Sequence, residues 1–283
     1  MVKVSTATLS ADTLQDLYVQ KKLSTWTIER LTGFSRSTAY ARLKKCGIVP
    51  RDLATAHIKY PRDFYKGDDC DRAYLLGFTI GDLRVRRNGG ERSKTISIGC
   101  ASTKPAQIKL IKSLFSPYGR VWVGQRNREG KIFVEAFVDL SFGFLLTDER
   151  LKINWVFSKN EHFLSFLAGF TDAEGSVFIS RNQAFVSWGN YNHELLSRIK
   201  SNLEKLGIQV GSVVSDHLQG YKDKDGYVRS ADYHHLTCGR KKSVQMILTA
   251  LQPLMRHTDK KRALSEALKN ITIRNKQFGS INM

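Results

Sequence analysis

The chain has 283 residues, with 45 Lys and Arg against 26 Asp and Glu, so its formal charge is +19. At 41% apolar residues it can bury a core, which excludes a wholly disordered tail, and the cationic excess points to a polyanion, nucleic acid before an anionic membrane surface. No apolar run approaches the length of a membrane span, the N-terminus has the pattern of neither a signal nor a transit peptide, and the four cysteines (Cys46, Cys70, Cys100, Cys238) lack paired spacing. These features predict no membrane partner, no disulfide scaffold or zinc ribbon, and a reducing, intracellular location in the cytoplasm or on the nucleoid.

In chain order, Asp12 to Lys22 reads as a helix with Leu14, Leu17 and Tyr18 on one face. Ser24 is placed to cap a second helix through Thr32, bearing Trp26, Ile28 and Leu31, and Gly33 breaks it. Ser35 caps a third helix that ends at Gly47; Ala39, Tyr40 and Leu43 are its inward positions. Two short helices joined by a glycine-containing turn form a helix-turn-helix pattern, which assigns residues 1–50 to a small all-α DNA-binding domain. In that pattern the start of the second helix meets base edges, so Arg36, Ser37 and Thr38 are candidate readers, with Arg42, Lys44 and Lys45 left for phosphate. Residues 1–60 hold ten Lys and Arg and four Asp and Glu, a local charge of +6. The bland alternative is a helical bundle that binds protein. Residues 51–70, with Pro61 and Gly67 and no clear periodicity, read as a connection.

Beyond it the chain repeats itself. YLLGFTIGDLRV (74–85) matches FLAGFTDAEGSV (166–177) at an offset of 92: Leu75 falls on Leu167, Gly77 on Gly169, Phe78 on Phe170, Thr79 on Thr171, Asp82 on Glu174 and Val85 on Val177. A second block, IKLIKSLFSPYG (108–119), matches LSRIKSNLEKLG (196–207) at an offset of 88. The copies, 71–160 and 161–283, each read αββαββα. The fold class is therefore α+β, two repeats related by a pseudo-two-fold axis plus the small helical domain. Each copy opens with an apolar helix that carries a small residue and ends in an acid. If those two helices pack on each other, Asp82 and Glu174 become neighbours. Two close carboxylates repel unless a cation lies between them, and Mg²⁺ takes such oxygen ligands while keeping waters that phosphate oxygens can replace. That is a recognised way to hydrolyse a phosphodiester.

LAGFTDAEGSV resembles the signature of the LAGLIDADG homing endonucleases, LLGFTIGDLRV resembles a weaker form of it, and LMRHTDKKRALSEAL (254–268) resembles the tail of many members. The resemblance covers roughly residues 70–280. It implies a monomeric two-repeat enzyme that makes a metal-dependent double-strand break in a long, nearly non-palindromic DNA site, with Mg²⁺ as cofactor and Mn²⁺ able to replace it. It implies metal binding by Asp82 and Glu174, aided by the carbonyls of Gly81 and Ala173, and two antiparallel sheets forming a DNA-binding saddle. For the basic group near the attacking water it points to Lys241 and Lys242 with Arg240, and for the water-positioning residue to Asn190 and Ser102. The matching stretch of the first copy, VDLSFGF, has no Lys or Arg, which implies either slower cutting of one strand or another base on that side. The first motif also departs at Ile80 and Leu83, where the second has Asp172 and Gly175.

Strand alternation sets Val85 and Val177 inward and Arg84, Arg86, Asn88, Ser176, Phe178, Ser180 and Asn182 outward, toward DNA. Gln125, Arg126 and Arg128, and Gln219, Lys222 and Arg229, are the candidate readers of the later hairpins. The alternatives are a catalytically inactive DNA-binding regulator and an RNA-splicing maturase with intron RNA as partner. An intron-encoded origin, in an organelle or elsewhere, goes with the resemblance.

Overall fold

The structure is a computed structural model that describes residues 9–51, 60–90, 93–146, 152–222, 226, 228 and 230–279. The chain divides into two compact units, Met1–Tyr60 and Pro61–Met283.

The smaller unit has three helices: α1 (Ala11–Leu14, continuing as a π-helical segment to Gln20), α2 (Thr25–Thr32) and α3 (Arg36–Lys45). Each begins with the same device. Ser10, Ser24 and Ser35 accept the N–H of Thr13, Thr27 and Thr38 at 3.2, 3.1 and 3.2 Å, so each cap satisfies one donor that has no partner within its helix. Gly33 ends α2 at φ 79°, a left-handed conformation that costs glycine little. Leu9, Leu14, Leu17, Tyr18, Ile28, Ala39 and Leu43 form the core. Tyr40 is not part of it. It is 45% exposed, because the inward line of α3 runs through Ala39 and Leu43 and the next residue lies about 100° around the helix. Trp26 is likewise exposed, with the Arg30 guanidinium 4.7 Å from its ring centroid.

Of the expected 51–70 connection, residues 52–59 lie outside the described residues, and residues after 60 are fastened to the larger unit. Arg62 donates to the Lys94 carbonyl and the Thr95 hydroxyl, and the Asp63 N–H donates to the Tyr118 carbonyl. The first repeat then runs α4 (Asp69–Asp82), β1 (Arg84–Arg87), β2 (Ile96–Ser102), α5 (Pro105–Phe115), β3 (Arg120–Arg126) and β4 (Ile132–Val138). The second runs α6 (Asn160–Ala173), β5 (Gly175–Ser180), β6 (Gln183–Asn190), α7 (His193–Lys205), β7 (Val214–His217), β8 (Tyr233–Cys238), α8 (Lys241–Leu251) and α9 (Thr258–Phe278). The sheets have matching orders, β1-β2-β4-β3 and β5-β6-β8-β7, and every neighbouring pair is antiparallel. Where a closing helix was expected in the first copy, the described residues form a pair of 3₁₀ turns, Leu140–Leu145 and Asn154–Phe157. Phe142, Leu145 and Val156 are buried from these turns and belong to the main core.

Helices α4 and α6 pack backbone to backbone. A methyl group on Gly77 would lie 2.1 Å from the Phe166 carbonyl oxygen, and one on Gly169 would lie 2.0 Å from that of Tyr74. The two contacts are reciprocal under the offset of 92, which is the sign of a local two-fold axis. The flanking rings repeat the relation: Tyr74 stacks on Phe78 with centroids 6.3 Å apart, and Phe166 on Phe170 at 6.1 Å. Full burial of each phenylalanine contributes about 2–3 kcal/mol, so the helix pair sits at the centre of the core that both sheets cover.

Candidate active site at the paired helix ends

The close crossing of α4 and α6 brings their C-terminal ends together. A methyl on Gly81 would meet the Ala173 Cβ at 2.4 Å and the Glu174 Cγ at 2.7 Å. Asp82 and Glu174 therefore line one cleft of about 280 Å³, with Ser102, Lys104, Gln107, His257 and Lys260 among its walls. The sequence repeat alone sets these acids 92 residues apart, and only the glycine crossing makes them neighbours.

Their electrostatics follow from that. Burial, and then the Asp82 charge, push the Glu174 carboxyl up to about 7, with Lys260 pulling the other way. Asp82 is also raised by loss of water, although part of its side chain reaches solvent; Lys260, a hydrogen bond from Gln107 and Lys104 oppose the rise. Gln107 donates from Nε2 to Asp82 Oδ2 at 2.7 Å and so fixes the carboxylate's rotation.

The basic group beside the acids is Lys260, which the sequence reading passed over. Its Nζ donates to the carbonyls of Thr171, Ala173 and Gly175 at 3.0, 2.8 and 2.7 Å. Lys260 lies in the first turn of α9, and Asp172 anchors the approach to that turn. Asp172 is fully buried; its Oδ2 accepts the N–H groups of Arg256 (2.6 Å) and His257 (3.1 Å) and the Tyr74 hydroxyl (2.7 Å). Burial drives the Asp172 carboxyl upward against these three donors.

Lys241 and Lys242 do not reach the acids. Cys238 ends β8, Gly239 and Arg240 connect, and both lysines open α8. The Lys241 ammonium donates to the Gly279 carbonyl, at the other end of a 21-residue helix about 30 Å long that starts by Lys260. Arg240 is exposed and bonded to the Gln209 side chain. Asn190 is also absent from the cleft wall, and its Oδ1 accepts the Asn192 N–H at 2.9 Å, capping the turn into α7. Ser102 does line the cleft.

On the sheets, Arg84, Arg86, Ser176, Phe178 and Ser180 are exposed on the face away from the half-buried Val85 and Val177. Asn88 and Asn182 are hairpin residues rather than strand residues, and Asn182 Oδ1 accepts from Asn270 of α9 at 2.9 Å. Gln125, Arg126, Arg128, Gln219 and Lys222 are exposed, and Arg229 lies outside the described residues. In the smaller unit Arg36, Ser37, Thr38 and Arg42 are exposed on α3; Arg36 pairs with Glu29 at 3.2 Å, and the hydroxyls of Ser37 and Thr38 join the Ser35 cap.

Residues 161–246 match the model of the LAGLIDADG-like domain family. The chain carries a LAGLIDADG-like domain. Among similar solved structures, I-DmoI in complex with DNA and Ca is 18% identical, at a TM-score of 0.49 over 70% of this chain and 98% of that one. The N-terminal LAGLIDADG domain of DUF199/WhiA is 17% identical, at 0.42 over 67% and 86%. Full-length DUF199/WhiA from Thermatoga maritima is 18% identical, at 0.46 over 78% and 65%. No curated protein matches. The LAGLIDADG-like domain begins at α6 and contains Asp172, Glu174 and the whole second sheet, but ends before α9. Lys260, whose ammonium sits at the end of α6, thus comes from outside the matched segment.

Proposed function

We propose that the chain is a DNA endonuclease of the homing type, a monomer whose two repeats each give one acid to a phosphodiester-hydrolysing site. The observation that carries this reading is the meeting of Asp82 and Glu174 in one cleft at the joined ends of α4 and α6, from which strands bearing exposed Arg84, Arg86 and Phe178 follow. The donor set fits a divalent cation. Burial, and then repulsion from Asp82, raise Glu174 to about 7, and a hard cation with oxygen ligands relieves that repulsion. Asp82 and Glu174 would hold it; among the described residues no group of three or more His, Cys, Asp or Glu offers another site. Mg²⁺, with Mn²⁺ as a substitute, supplies Lewis-acid stabilisation of the charge that develops on phosphate oxygens. The protein's own share is positional: Gln107 sets the Asp82 carboxylate, Lys104 stands exposed at the mouth of the cleft, and Lys260 holds an ammonium against the Ala173 carbonyl.

The smaller unit adds affinity through α3, whose Arg42, Lys44 and Lys45 are exposed for phosphate. Removal of residues 1–60 should then weaken DNA binding and leave the cut position in place, as footprinting reports. The main test uses duplex DNA spanning the uninterrupted insertion site of the reading frame, with Mg²⁺. The parent should cut both strands, and Asp82→Asn or Glu174→Gln should lose at least about a thousandfold in rate while still binding. Cutting that survives both substitutions overturns the site. A second reading, a regulator that binds without cutting, draws on Lys260, since an ammonium already offsets part of the carboxylate charge; binding with no cleavage by the parent selects it.

A further inference from the structure

The Lys260 ammonium has three N–H donors, and all three are spent on backbone carbonyls, those of Thr171, Ala173 and Gly175. Thr171 and Ala173 lie in the last turn of α6, where carbonyls lack helical partners and the helix dipole presents its negative end. Glu174 follows directly, and Asp82 faces it from α4. The ammonium is thus bound by oxygens as a metal ion would be, and the charges of both acids act on it. One of its ligands is the Ala173 carbonyl, the same oxygen that the sequence resemblance gives to metal.

This arrangement is one-sided. Asp172 fixes the backbone at Arg256 and His257, and that places Lys260 three residues later over the end of α6. The first repeat has Ile80 at the position of Asp172, and after β4 it has 3₁₀ turns where the second repeat has α8 and α9. Among the described residues no helix plays the part of α9 on that side. The end of α4 therefore has Gln107 on its acid, a neutral donor, while the end of α6 has a fixed cation.

We infer that the Lys260 ammonium fills the cation position at the end of the second-repeat helix, so that the carboxylate pair takes up a single divalent ion. This rests on the metal-site reading above. The lysine then acts as a built-in counter-ion: it screens Glu174 in the metal-free protein and competes with any second divalent ion for the Ala173 carbonyl and the Glu174 carboxylate.

The test needs no DNA target. Mn²⁺ is titrated into the full chain at neutral pH, free ion is followed by electron paramagnetic resonance, and folding is checked by circular dichroism. The parent should bind one Mn²⁺, and Lys260→Arg should do the same. Lys260→Met should bind a second ion or tighten the first at least about tenfold, since one positive charge is removed within a few ångströms of the ligands. Lys260→Gln, which keeps a donor for the carbonyls without the charge, should follow Lys260→Met and stands in for it if the methionine variant fails to fold. Unchanged or weaker binding in the folded neutral variants overturns the inference. Asp82→Asn and Glu174→Gln separate the two levels. If they lose Mn²⁺ while the lysine variants match the parent, only the role of Lys260 falls; if they bind as the parent does, or if the parent and the neutral variants all fail to bind, the metal-site reading falls and the inference with it.

Discussion

The two repeats share a skeleton and differ in what surrounds the acid. Their sheets have the same order, their glycines make reciprocal contacts, and Tyr74 and Phe78 occupy the places of Phe166 and Phe170. Yet Ile80 stands where Asp172 stands, and among the described residues only the second repeat continues into α-helices after its sheet, α8 and α9. The outward sheet faces differ too. The first carries Arg84 and Arg86, the latter paired with Glu135 at 3.2 Å; the second carries Ser176, Ser180 and the stacked rings of Phe178 and Phe185. Packing was kept because a backbone crossing tolerates no side chain on either partner. The polar chemistry had no such constraint, and it diverged.

The symmetric part can be broken first. Gly77→Ala and Gly169→Ala each force a methyl onto a backbone carbonyl, and each should cost about 3 kcal/mol, the upper end for overpacking. Thermal denaturation should give similar losses for the two; a large effect at one alone would show that the two-fold relation does not extend to energetics.

The asymmetric part comes next. Asp172→Ile copies the first repeat's residue into the second. It leaves the Arg256 and His257 N–H groups and the Tyr74 hydroxyl without their acceptor, and should cost about 2–3 kcal/mol in urea unfolding. Ile80→Val, its counterpart, should cost about 1 kcal/mol. Equal losses would mean that Asp172 is not the anchor of α9.

A smaller effect concerns pH. The folded Glu174 carboxyl, raised to about 7 from 4.5, stays protonated where the unfolded chain has already ionised. The stability this gives is complete below pH 4.5 and is lost as pH rises through about 7. Without divalent ions the melting temperature of the parent should therefore fall across that window, and Glu174→Gln should flatten the fall. An unchanged slope would show that burial and the Asp82 charge do not raise the Glu174 carboxyl.

Smallest is the difference between the sheet faces. If Arg84 and Arg86 touch phosphate, each alanine variant should lower the salt dependence of DNA binding by about one unit of log–log slope. Ser176→Ala and Phe178→Ala should leave the slope unchanged, and a shift equal to that of the arginines would erase the distinction.

Much of this was legible in the sequence. The serine caps, Gly33, the duplication and the two acids all depend on local pattern or on likeness between the copies, which are written along the chain. The inward phase of Val85 and Val177 also follows from alternation alone. The errors have a common cause. Lys241 and Lys242 come just after a strand that leads from the site's sheet, but they open α8 at the far end of α9. Tyr40 was misplaced by one step around a helix. The segment HTDKKRAL carries the family resemblance, but nothing in it says which of Lys260 and Lys261 turns inward.

The sequence by itself determined a cationic, duplicated α+β chain with one acid at the end of each repeat's first helix, because composition, caps and repeats are local properties. The tertiary structure decided that the acids share a cleft, since only glycine at 77 and 169 lets the two backbones close. It also decided which cation stands with them. Lys260 is 86 residues from Glu174 along the chain, and a buried carboxylate on α6 draws the start of α9 back over the helix end, setting its ammonium among three carbonyls.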